Sequence, residues 1–207
     1  MTRRRPPSRR RPSGKATGRL RIIGGDFRRR LLPVLDRPGL RPTPDRVRET
    51  LFNWLSSAPL GAQVLDLYAG TGALGLEALS RGARQAHFIE RDGGVASALR
   101  DNLATLGANG GVTTGDVLTL LGTSADAAAP YDLVFLDPPF RQGLAEPSCA
   151  ALEAGGWLGE RAWIYLETEA ELTPQVPATW GLHREVHAGD SHGRLYRRLA
   201  SPPGDAC

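Results

Sequence analysis

Asp66 stands inside the apolar run Val64-Leu65-Asp66-Leu67-Tyr68, four residues before the first of three glycines spaced Gly70-x-Gly72-x-x-Gly75. A buried, unpaired carboxylate is expensive, so an acid at this place calls for a dedicated partner. The run is β-prone and stops at Ala69-Gly70-Thr71-Gly72, and Ala73–Ser80 then reads as a helix. Glycines suit such a strand-to-helix turn because a Cβ would block both positive φ and the close approach of a ligand to the backbone. Two ligands fit the spacing. It satisfies the dinucleotide fingerprint, with Glu90 near the distance at which an acid accepts the ribose hydroxyls of NAD. Asp66 favours the other, S-adenosylmethionine, because a cationic sulfonium prefers an acidic neighbourhood and a pyrophosphate does not.

The second chemical element is Asp137-Pro138-Pro139-Phe140, delivered by the buried-strand run Tyr131–Leu136 to its carboxyl end, where open parallel sheets bind ligands. An exocyclic amine on a nucleobase is a poor nucleophile because its lone pair is delocalised into the ring. The Asp137 carboxylate and the Pro138 carbonyl can grip the amine hydrogens and turn the nitrogen toward sp³, and Asp137 can receive or relay the proton. Pro138 and Pro139 stiffen the loop, and Phe140 can stack on a base taken out of its helix, a contact worth about 1–3 kcal/mol.

These residues need elements to hold them. His87–Glu90 and Val112–Asp116 read as further strands, which place Glu90 for the adenosine ribose and Asp116 for the adenine amino group. Asp92–Gly107 reads as a helix with Val95, Leu99, Leu103 and Leu106 on one face. Beyond Phe140 a helix is expected around Gly143–Ala154 and a strand at Ala162–Thr168. A final antiparallel pair follows at Leu182–His187 and Arg194–Leu199, turned by Gly189-Asp190-Ser191. With 207 residues and 41% apolar content the chain can bury one substantial core. The alternation predicts an α/β domain with a parallel sheet of seven strands, the last antiparallel.

Charge divides the chain unevenly. Residues 1–48 hold sixteen Lys or Arg against three Asp, and since the whole chain is +4, residues 49–207 carry −9. A basic leader on an acidic body predicts a polyanionic partner held mostly from the amino-terminal side. Within that leader, residues 1–18 read as a basic disordered arm, with almost no apolar side chain up to Thr17. No apolar core of a signal peptide follows. Residues 19–43 read as a small β-hairpin extension, with Leu20, Ile22 and Ile23, then Gly24-Gly25, then Leu31, Leu32, Val34 and Leu35. Thr43 is the expected N-cap and Pro44 the first residue of a helix whose stripe is Val47, Leu51, Trp54 and Leu55. Arg46 and Arg48 lie off that stripe, free for RNA, the cofactor carboxylate or solvent. Residues 44–200 form the expected catalytic domain and 201–207 a flexible tail.

The motifs taken together resemble the RsmD family of bacterial 16S rRNA guanine-N2 methyltransferases, over about Arg21 to Arg197. The resemblance rests on RIIGG at Arg21–Gly25, GLRPTPDRVRETLFNWL at Gly39–Leu55 and LDLYAGTGALGLEALSRGA at Leu65–Ala83. DPPF at Asp137–Phe140 and RLYRR at Arg194–Arg198 complete it. The glycine loop and DPPF recur across many methyltransferases, so the leader-helix motif is the specific part. The resemblance implies a Rossmann-like class I methyltransferase fold and S-adenosylmethionine as cofactor. It also implies transfer of one methyl to the 2-amino group of the guanine at position 966 of 16S rRNA, within the small ribosomal subunit or its assembly intermediate. Carried over by position, Asp66, Tyr68, Gly70, Thr71, Gly72, Glu90 and Asp116 would serve the cofactor, and Asp137, Pro138, Pro139 and Phe140 the target amine. Arg21, Arg28, Arg29, Arg30 and Arg46 are the candidate RNA contacts. Phe27-Arg28-Arg29-Arg30 stands where related chains often carry an aromatic, Arg, Gly, Arg series, so a slightly different turn is expected there.

Only Cys149 and Cys207 occur, far apart and without a Cys-x-x-Cys, and the four histidines show no ligand spacing, so no metal is expected. Unpaired cysteines fit a reducing cytoplasm, and no apolar run approaches a membrane span. Three other readings stay open. An NAD-dependent oxidoreductase leaves DPPF without a task. A DNA adenine amino-methyltransferase shares the tetrapeptide but not the leader helix. A non-catalytic RNA-binding assembly factor would use the leader and tolerate loss of Asp137.

Overall fold

The computed structural model describes residues 16–35, 37, 43–123 and 130–199. The chain opens on a hairpin of β1 (Ala16–Arg21) and β2 (Leu31–Leu35), followed by helix α1 (Asp45–Leu55). Strand and helix then alternate through β3 (Gln63–Leu67), α2 (Ala73–Ser80), β4 (Gln85–Glu90), α3 (Gly93–Leu106), β5 (Gly110–Thr114) and α4 (Val117–Leu121). The rest is β6 (Tyr131–Leu136), α5 (Ala145–Ala154), β7 (Leu158–Glu169), β8 (Trp180–Ala188) and β9 (Ser191–Arg198). Seven strands form one sheet in the order β5-β4-β3-β6-β7-β9-β8. β3 to β7 pair in parallel, and β9 runs antiparallel to both its neighbours. This is the Rossmann-like sheet that the alternation predicts, with β9 inserted between β7 and β8.

Side chains alternate across each strand, so the two faces bury different sets. Val64, Phe88, Leu133, Phe135 and Tyr165 pack under α1, α2, α3 and the hairpin, while Leu65, Leu67, Val134, Leu136, Ile164 and Leu166 pack under α4 and α5. Burial on both faces explains why the central strands read as continuous apolar runs. α3 runs almost as its periodicity predicts. Asp92 caps its first turn by accepting from Gly94 N and Val95 N, and Gly107 ends it in the left-handed conformation.

The amino-terminal extension differs from expectation in four places. β1 begins at Ala16, earlier than the boundary at residue 18, because strand pairing to Leu35 and Val34 uses backbone groups and needs no apolar side chain. Residues 1–15, 200–207 and all of GLRP at 39–42 lie outside the described residues. Gly24-Gly25 does not make a tight hairpin turn. Gly24 N donates to Glu77 Oε1 and Asp26 N to Ser80 O, and a Cβ on Gly25 would lie 1.7 Å from Ser80 O, so the glycines lay the loop flat on α2. Pro44, not Thr43, occupies the N-cap position of α1, in an extended conformation and with no side-chain cap.

Arg48 is the fourth correction. It is 0% exposed, because the buried stripe of α1 is broader than the one read from sequence and includes Arg48 and Phe52 beside Val47, Leu51 and Leu55. Its Nη2 donates to Asp45 Oδ1 at 2.6 Å and to Arg21 O at 2.9 Å, and its Nη1 lies 3.6 Å from Glu77 Oε2. Glu77, also buried, accepts from Ile23 N, Gly24 N and Arg81 Nε. The pair therefore locks the hairpin to the sheet domain. At the loop's far end Arg29 takes φ 68, so an arginine adopts the left-handed backbone that the glycine of the related series favours.

Candidate active site

Parallel pairing sets Leu67 opposite Leu136 and Leu136 opposite Leu166, so the chain leaves β3, β6 and β7 side by side at one edge of the sheet. Asp66, 3% exposed on β3, accepts from Gly75 N at 2.8 Å. That is the dedicated partner its burial demands. A Cβ on Gly75 would stand 2.3 Å from the Phe88 ring, so this glycine lets α2 close onto the sheet. Burial, reinforced by the charge of Glu90, lifts the Asp66 carboxyl to about 8 against the pull of the Gly75 amide.

The loop above Asp66 is preorganised. Tyr68 has φ 57, Gly70 φ 52 and Gly72 φ 74, and a Cβ on Gly72 would lie 2.4 Å from Leu99 Cδ1. Glu90 accepts from Gly70 N at 2.8 Å and from Asp92 N at 2.7 Å, so it ties the loop to the end of β4. Thr71 is buried in the turn. Tyr68 points elsewhere: its hydroxyl shares a 2.9 Å hydrogen bond with Ser148 on α5. Asp116 caps α4 through Thr119 N and Thr119 Oγ1, both on Oδ1, and these bonds hold its carboxyl below the usual range. β2 packs on α3 beside Gly70 and Thr71, and Asn102 Nδ2 donates to Pro33 O.

Asp137 follows β6 directly, on the same face as Asp66 and Phe135. Pro138 is buried, Pro139 is exposed, and Phe140 shows 37% of its surface at the mouth. The structure adds a neighbour that the motifs do not mark. Glu167, 5% exposed on β7, stands beside Asp137 in the parallel register, and the Tyr165 hydroxyl donates to it at 3.0 Å. Gly193 lies opposite Glu167 on β9, and its missing Cβ leaves room for the Tyr165 hydroxyl. Burial first, then the charges of Glu167 and Asp66, hold the Asp137 carboxyl well above its ordinary range. Glu167 is also raised by burial. An acid inside the apolar run Ala162–Thr168 was the available signal for Glu167, the same one that marks Asp66.

The donor set fits S-adenosylmethionine: glycines in a preorganised turn that a Cβ would crowd, and acids at successive strand ends. Of the candidate RNA contacts, Arg21, Arg28, Arg29, Arg30 and Arg46 are all exposed. Arg21 pairs with Asp45 at 2.7 Å, and Arg30 donates to Thr105 O. Among the described residues no group of three or more His, Cys, Asp or Glu is placed to hold a metal, and no helix is long and apolar enough to cross a membrane. Cys149 is buried on α5.

Comparison with known proteins places this geometry. The family model described as conserved hypothetical protein 95 matches residues 20–197. Ribosomal RNA small subunit methyltransferase D of Escherichia coli K12 is 52% identical over 197 residues, covering 94% of this chain and 98% of that protein. The protein of the same name from Haemophilus influenzae is 44% identical, covering 88% and 95%. A solved structure described as putative methyltransferase yhhF from Escherichia coli superposes with a TM-score of 0.81 at 53% identity, over 89% of this chain and all of the other.

Proposed function

The chain belongs to the RsmD family, that of conserved hypothetical protein 95, and from this premise we propose that it methylates the 2-amino group of one guanine of 16S rRNA, at position 966, with S-adenosylmethionine as donor. Its substrate is the small ribosomal subunit or an assembly intermediate, met in the cytoplasm. One observation carries the reading. The glycine loop after β3 and Asp137-Pro138-Pro139-Phe140 after β6 leave adjacent parallel strands at the same edge, so donor and acceptor sites share a wall.

Methyl transfer from a sulfonium is an in-line displacement, and the donor supplies an electrophilic carbon that needs no covalent enzyme intermediate. The chain's task is orientation. Asp66 fixes the first turn of α2 through Gly75, and Glu90 holds Gly70, so the loop keeps its shape before ligand arrives. Asp137 and the Pro138 carbonyl accept from the two amine hydrogens, and Phe140 stacks on the base. The N–C bond forms as the S–C bond breaks, the sulfur leaving as a neutral thioether, and the nitrogen gives up one proton to the Asp137 carboxylate. Burial and the charge of Glu167 raise the proton affinity of Asp137, so once ionised its carboxylate is a stronger proton acceptor than an ordinary aspartate.

The test is transfer of labelled methyl to small subunits lacking the modification, beside naked 16S rRNA and duplex DNA, with the product nucleoside identified by mass spectrometry. N2-methylguanosine at position 966 of the subunit is expected. Label on DNA would overturn the substrate, and no label on any nucleic acid would favour an assembly factor. Asp137→Ala should abolish transfer while cofactor affinity, measured by calorimetry, stays near wild type.

A further inference from the structure

The face of the sheet that carries Asp137 and Glu167 continues across β7, β9 and β8 to a group of cations far from the glycine loop. Trp163 shares that face with Tyr165 and Glu167, being two and four residues earlier on β7, and Arg161 lies two residues earlier again. Arg197 pairs with Trp163 in the register and sets its guanidinium 4.4 Å from the indole centroid. His183 meets the same indole edge-on at 4.9 Å, and Arg184 stands opposite Leu195, whose side chain belongs to this face. Arg161, Arg184 and His183 are exposed, and Arg197 and Trp163 are partly exposed.

No ion pair among the described residues involves Arg161, Arg184 or Arg197. Burial first, and then the like charge of nearby Arg161, makes the Arg197 guanidinium easier to deprotonate. Such a group is out of place in residues 49–207, which carry a net −9. Like charges held together on an aromatic support and outside any ion pair are stabilised by an external polyanion. We propose that this face binds the phosphate backbone of the rRNA flanking the target nucleotide. Arg161 is six residues from Glu167, roughly 20 Å along the strand, so the contact reaches RNA beyond the reacting base. The inference rests on the rRNA reading above and adds a second hold, on the carboxy-terminal side, to the one expected from the amino-terminal extension.

The test compares wild type with Arg161→Gln/Arg184→Gln/Arg197→Gln in equilibrium binding to unmodified small subunits between 50 and 200 mM salt, alongside methyl transfer. Three lost phosphate contacts should reduce the slope of log K against log salt by about 2, and remove roughly 20-fold of the affinity lost over that range. kcat at saturating subunit and cofactor affinity should stay near wild type. The triple Lys variant should keep the salt slope, which separates charge from packing on Trp163. Should the Gln triple fold poorly, the exposed pair Arg161→Gln/Arg184→Gln should still lower the slope by about 1.4. An unchanged slope in a variant that binds and methylates subunits overturns this proposal alone. Wild type that neither binds nor methylates subunits overturns the rRNA reading with it.

Discussion

Burial lifts the carboxyl of Asp66 from 3.8 to about 8, so between those values the native state holds a proton that the unfolded chain has released. The native state binds more protons there, and stability must fall as pH rises from about 4 to 8, on the order of a few kcal/mol. Asp66→Asn keeps an oxygen for Gly75 N–H and should flatten that fall. Urea unfolding at pH 5 and pH 8 measures it, and a variant with the wild-type slope would assign the dependence elsewhere. Glu167 offers a kinetic counterpart. Its charge helps hold Asp137 protonated, so Glu167→Gln should lower the Asp137 pKa and move the acid limb of the single-turnover rate to lower pH. A limb that stays put would confine Glu167 to packing. At this scale the sequence was legible wherever an unusual residue sat in a plain context. Asp66 and Asp137 stood out because their neighbours are apolar or proline. Arg48 did not, since an arginine among charged helix residues looks solvated until Glu77, 29 positions later, is seen to meet it.

The Arg48–Glu77 pair acts between elements, joining α1 and α2 to the loop between β1 and β2. Glu77→Gln leaves a buried guanidinium short of its counter-charge, on top of the Nε and Nη1 that already lack hydrogen-bond partners. It should lower the unfolding free energy by about 3 kcal/mol. Replacing both residues by Met should cost less than the sum of the two single Met changes, and chemical denaturation of the four proteins decides it. In the same loop, Arg29 holds a left-handed backbone that costs a non-glycine residue about 1 kcal/mol or more. Arg29→Gly should therefore raise stability by up to about 1 kcal/mol while weakening RNA binding. Equal or lower stability would show that the arginine side chain compensates through contacts of its own. Elements with a strong period were readable from sequence: β6 and the apolar stripe of α3 fall where predicted. The five-residue α4 was not, because one turn of VLTLL has no period to detect, and the docking of the hairpin loop depends on partners in α2.

Across the whole molecule, charge and chemistry occupy different surfaces. The acids converge on one edge of the sheet, while the arginines of the first loop and of the β7–β9–β8 face lie away from it. RNA bound to both would pass over an acidic pocket that is shielded by its own phosphate contacts. Replacing Arg28, Arg29 and Arg30 by Gln should lower the salt slope of subunit binding by about 2, independently of the carboxy-terminal face. A combined variant whose slope changes by less than the sum would mean that both surfaces hold the same phosphates. The insertion of β9 between β7 and β8 has a further consequence, one for the order of assembly. On a growing chain β7 and β8 emerge first, yet neither can complete its pairing until Ser191–Arg198 has been made. Until then one edge of β7 and both edges of β8 are open, exposing unpaired backbone and the apolar side chains around Ile164 and Trp180 to other nascent chains. A sheet sealed by β9 thus stays open at its centre until Ser191–Arg198 has been made and can pair.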